Sequence, residues 1–70
     1  MKRHERALRQ AVAAAGGPSA LARRLGVSPQ AVVQWRECPV RRVLEVERLS
    51  GVSRSELRPD LYPARLEAVP

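Results

Sequence analysis

Apolar side chains along this chain recur at helical spacing, and punctuation residues cut the recurrence into short pieces. Leu8, Ala11, Val12 and Ala15 stand at i, i+3, i+4 and i+7, which predicts an amphipathic helix over about residues 4–15. Gly16-Gly17 ends it and Pro18 opens the next, with Gly17 or Ser19 near the cap. Leu21, Ala22 and Leu25 then form the inner face of a helix over 18–25, and Val32 and Trp35 that of a helix over 29–36. Cys38-Pro39 breaks the pattern, because proline cannot continue a helix and restrains the residue before it. Val40, Val43, Leu44, Val46 and Leu49 predict a fourth helix over 40–50, ended by Gly51. That stripe is wider than one core face needs and has room for a partner subunit. Ser53 to Glu56 has the spacing of a capping box, so a short fifth helix with Leu57 facing inward follows, stopped by Pro59. Leu61 and Tyr62 are expected to fold back onto a domain spanning 1–63, with 64–70 a weakly structured tail.

The segment from Pro18 to Glu37 holds more than two helices. A steep crossing over so short a connection needs a residue tolerant of φ > 0 after the first helix, and Gly26 supplies it where a C-terminal cap belongs. Ala22, one turn earlier, is small enough for the second helix to approach closely. Ser28 can cap that helix, and Pro29 at its first position gives up no needed N–H. Glycine, alanine, the cap–proline pair and the apolar spacing together describe a helix-turn-helix. The chemistry lies on what the core leaves outside. Ser28 and Pro29 stand at the N-terminal end of the second helix, and Gln30, Val33, Gln34 and Glu37 along its outer side. Gln30 and Gln34 are the candidate base readers, since one amide can donate and accept in a plane that matches adenine N6 and N7. Val33 either meets a thymine methyl or is partly buried against the preceding helix. Glu37, at the helix end, is better placed to pair with a nearby arginine than to accept from a cytosine amine.

Charge follows the same division. The 70 residues carry a net charge of +6, yet residues 1–42 hold +7 and residues 43–70 hold −1. The basic half is the helix-turn-helix half, as a face that meets phosphate requires. Ser19 at the start of the first motif helix, and Arg36, Arg41 and Arg42 just beyond the second, are the candidate phosphate contacts. Arg23 and Arg24 lie on an outer helix face, where plain solvation accounts for at least one of them.

Other chemistries find little support. His4 and Cys38 are the sole histidine and cysteine, so neither a metal set nor an internal disulfide can be built from them, and no cofactor is expected. Cys38 beside a proline reads as a small buried hydrophobe. Gly16-Gly17 lacks the preceding strand and following Gly-Lys-Ser/Thr of a phosphate loop. No catalytic set emerges, and no enzyme is expected. No apolar run approaches the roughly 18 residues of a membrane span, and no charged-then-apolar start resembles a signal peptide, so a cytoplasmic location is expected. With Trp35 and Tyr62 the only aromatic residues, single-stranded RNA lacks stacking partners.

The chain resembles the small Cro-like phage repressors and YdaS-type regulators of the lambda-repressor-like DNA-binding superfamily. The likeness runs from about Ala7 to Pro63. It rests on Gly-Gly-Pro-Ser-Ala-Leu-Ala-Arg, Leu-Gly-Val-Ser-Pro-Gln-Ala-Val-Val-Gln-Trp-Arg, Pro-Val-Arg-Arg-Val-Leu-Glu-Val-Glu-Arg and the narrower Glu-Leu-Arg-Pro-Asp-Leu-Tyr-Pro. The resemblance implies an all-α, compact five-helix domain that binds palindromic double-stranded operator DNA through the major groove as a homodimer and represses transcription. Such regulators often act in prophage or toxin–antitoxin settings, so a toxin or a second repressor is a further possible partner. An antitoxin-like interaction module, with DNA binding secondary, is the rival reading. Two departures matter. Pro18 stands where relatives commonly carry glutamine, and Val33 where they often carry serine.

Overall fold

A computed structural model describes residues 3–63, with backbone only at Arg3. The chain forms α1 (Arg3–Ala14), α2 (Pro18–Leu25), α3 (Pro29–Gln34), a 3-10 turn (Val40–Arg42), α4 (Val43–Ser50) and α5 (Arg54–Leu57). The architecture is the expected all-α, five-helix one. The tail expected over 64–70 lies outside the described residues. No helix among the described residues is long and apolar enough to cross a membrane.

α2 and α3 pair most closely, while α1 lies across α2, α4 and α5. Leu8 and Ala11 of α1, Leu21, Ala22 and Leu25 of α2, Val32 of α3, Val43 and Val46 of α4, and Leu57 of α5 meet in one core with Cys38. No residue there is larger than leucine. A core this small is filled by interdigitating short side chains, so each is closely fitted.

The junctions obey the local chemistry of their residues. Gly16 and Gly17 both take φ near +100°, returning N–H groups to the carbonyls of Ala13 (3.1 Å) and Val12 (2.9 Å). At Gly26 (φ 76°, ψ 29°) the chain turns sharply, and the N–H groups of Gly26 and Val27 both donate to the Ala22 carbonyl, at 2.8 and 3.0 Å. Ser28 caps α3, its hydroxyl oxygen accepting from the Ala31 N–H at 3.2 Å. Ser53 does the same for α5 through the Glu56 N–H at 3.3 Å.

Three expectations are corrected. α3 stops at Gln34 rather than continuing to 36, because Trp35 is extended (φ −63°, ψ 133°). That turn carries the chain back to α1 and the core, delivering Glu37 to His4 and burying Cys38. Helical continuation would give up both. The fourth helix begins at Val43, since residues Val40–Arg42 form a 3-10 turn and Arg42 (φ −107°, ψ −2°) stands as the cap before it. Its wide stripe divides accordingly. Val43 and Val46 are fully buried and Leu49 is half-buried, while Val40 and Leu44 are 59% and 51% exposed. Finally, Tyr62 packs on the core with the Arg54 guanidinium over its ring, but Leu61 stays exposed.

A candidate nucleic-acid interface

The cap at Ser28 and the proline at the first turn orient α3 so that one side faces the core and the other faces out. Val32 is 3% exposed and Val33 is 67% exposed, although they are neighbours in sequence. The open alternative at Val33 is thereby resolved: it projects to solvent and is not packed against α2. Ser28, Pro29, Gln30 and Gln34 are exposed beside it. The five residues expected to face bases therefore share one outer surface. Trp35, expected in the core, is half-buried at the end of the helix.

Glu37 leaves that surface. It is not on α3, and its carboxylate lies 2.7 Å from His4 Nε2 and 3.8 Å from an Arg58 guanidinium nitrogen. The expected pairing with an arginine is present, and the contact with His4 ties the start of α1 to the segment after α3.

Of the candidate phosphate contacts, Ser19, Arg36 and Arg41 are exposed. Arg42 is placed differently. Its guanidinium donates to the Leu25 carbonyl at 3.2 Å, satisfying a helix-end acceptor of α2, and to Glu45 at 3.1 Å. One residue thus ties the end of α2 to the start of α4.

The acids are absorbed by the fold. Among the described residues Glu5 pairs with Arg9, Glu45 with Arg42, Glu47 with Arg54 and Asp60 with Arg58, while Glu56 accepts from the Ser53 hydroxyl. With Glu37 held by His4 and Arg58, the described arginines that have no such carboxylate are Arg6, Arg23, Arg24, Arg36, Arg41 and Arg48. Four of these six lie on α2 (Arg23, Arg24) or between the end of α3 and the start of α4 (Arg36, Arg41). Individually these surface pairs add little stability. Their consequence is where positive charge remains.

Arg58 is the residue that sequence reasoning missed. It is 9% exposed and donates to the Cys38 carbonyl at 3.0 Å and to both oxygens of Asp60 at 3.0 and 2.7 Å. The Arg-Pro-Asp spacing is a local signal for that fork, but nothing local points to Cys38, twenty residues away. The hydrogen bond from Arg58 holds the Asp60 carboxyl at about 2, below its ordinary 3.8. The Asp60 contribution is therefore complete above pH 3.8 and is withdrawn as the pH falls through about 2. In an acid titration followed by NMR of Tyr62, Asp60→Asn is expected to remove the part of the transition in that window. An unchanged titration would show that the pair does not hold the turn. Burial pushes the Cys38 thiol up to about 11, against the opposing charge of Arg58, so at neutral pH it is protonated and enclosed. Among the described residues no group of three or more His, Cys, Asp or Glu could hold a metal ion.

Residues 8–66 match the family model described as "Bacterial toxin YdaS". The chain is also 45% identical over 67 residues to a protein of Escherichia coli (strain K12) named "Putative transcriptional regulator YdaS", covering 87% of this chain and 68% of that one. No solved structure matches. On the family match across most of its length, the chain belongs to the YdaS family.

Proposed function

We propose that this protein is a transcriptional regulator that binds double-stranded DNA sequence-specifically, as a homodimer that represses from a palindromic operator. α3 enters the major groove, and Gln30, Gln34 and Val33 face base edges, with Ser28 and Pro29 at the leading end. Ser19, Arg36 and Arg41 hold flanking phosphates, and Arg42 acts mainly within the fold. The observation that carries this reading is the outward projection of Val33 beside exposed Gln30 and Gln34, on a helix whose other side is buried. A dimer reading two half-sites would set them about 34 Å apart, one turn of DNA. The regulator name of the relative supports the same reading.

The test is footprinting on the DNA upstream of the chain's own gene, at several salt concentrations. A protected site with two-fold symmetry is expected, and protection nowhere would overturn the proposal. Arg36→Ala is expected to weaken binding to all sequences alike and to reduce the slope of log affinity against log salt by about 0.9 for each bound protomer, about 1.8 for a dimer. An unchanged slope would remove Arg36 from the interface.

A second reading has one specific observation behind it. Val40 and Leu44, four residues apart, both expose apolar surface. The same patch suits a protein partner, a second copy or a toxin, with DNA binding secondary. Val40→Asp with Leu44→Asp would abolish such an association and leave binding by a monomer to a half-site.

A further inference from the structure

We propose that Arg9 of α1 is an additional DNA-backbone contact, so that the phosphate-binding surface extends beyond the helix-turn-helix onto the first helix. The inference rests on the DNA-binding reading above. An open groove of about 370 Å³ runs between α1 and the motif, and Arg9 lines it together with Gly17 and Pro18 at the start of α2 and Val33 and Trp35 of the α3 segment. Arg9 is thus on the side of α1 that the start of α2 and the outer residue of α3 share.

Three features make it available there. Its side chain is 71% exposed and meets Glu5 only at 3.8 Å, so the guanidinium is not fixed by that contact. Four residues on, towards α2, stands Ala13, which lines the same groove and is too small to screen it. A Cβ built on Gly17 would meet nothing within 4 Å, so the protein does not fill the space beside the α2 start. Pro18 offers neither an N–H nor a polar side chain, and an arginine from the neighbouring helix presents a planar fork suited to phosphate.

Arg6 is the internal control. It has the same charge on the same helix, yet it lines a different hollow, with Ser55, Glu56, Pro59 and Pro63. Duplex binding by purified wild type, Arg9→Ala, Arg9→Lys and Arg6→Ala would be measured over a salt series, with specific and unrelated DNA. Arg9→Ala is expected to reduce the slope of log affinity against log salt by about 0.9 for each bound protomer on both DNAs. Arg9→Lys should keep most of the slope, and Arg6→Ala all of it. If wild type binds with a salt-dependent affinity and Arg9→Ala retains its slope, or Arg6→Ala loses as much, Arg9 is not a contact. If wild type itself shows no salt-dependent duplex binding, the DNA-binding reading fails instead.

Discussion

Replacing Gln30 or Gln34 with alanine is expected to erase the protein's preference for its operator while leaving weak binding to any duplex. Both amides are on the exposed side of α3, so truncating them removes no core contact. A bidentate glutamine–adenine pair contributes about 1–3 kcal/mol of discrimination, roughly 5- to 150-fold. Losing one pair in each half-site of a dimer doubles the free-energy loss if the halves act independently. Electrostatic attraction to the backbone does not depend on either amide, and non-specific affinity and its salt dependence should persist. Competition titrations of operator against random duplex measure the ratio directly. Two variants that both footprint like wild type would show that α3 does not read the bases. Val33→Ser offers a gentler companion, since it trades an apolar contact for a polar one and should alter which base is preferred at one position.

Leu21→Ala should have the largest effect on stability. Leu21 is fully buried where α2 meets the rest of the core, and the residues around it are leucine, valine and alanine with little freedom to fill the gap. Truncations of this kind cost about 2–5 kcal/mol. A domain of this length has only about 4–10 kcal/mol in total. At roughly 4–8 °C for each kcal/mol, Tm should fall by at least about 8 °C. Thermal unfolding followed by circular dichroism decides it, and a fall below about 4 °C would mean that the site collapses around the smaller side chain. The proposed DNA-binding surface should disappear with the fold, because α3 has six residues and is too short to persist as an isolated helix.

The two predictions separate the residues that build the motif from those that act through it. Leu21, Ala22, Leu25, Gly26 and Val32 were legible because their requirements are local: a helical period, a left-handed turn, a cap. Gln30 and Gln34 were legible as the polar remainder of that period. His4, Arg42 and Arg58 were not. Each bonds to a residue 17 to 33 positions away, and no periodicity encodes such a partner. The early end of α3 has the same origin. A helix through 36 satisfies local propensity, but the bond of Glu37 to His4 and the burial of Cys38 require an extended Trp35.

The sequence by itself determined the helices, their order, the turn at Gly26 and the half of the chain that is basic, because these depend on spacing and on backbone preferences of single residues. Tertiary structure decided which charges remain available and which way ambiguous apolar residues point. Packing turned Val33 outward and left Val40 and Leu44 uncovered. It placed the acids in internal contacts and engaged Arg42 at the end of α2, leaving Arg36 and Arg41 exposed without a carboxylate partner among the described residues. It also set Arg9 beside the start of α2, where Pro18 itself carries no N–H. Those outcomes are fixed by how the helices cross, which sets the distances between groups far apart in the chain.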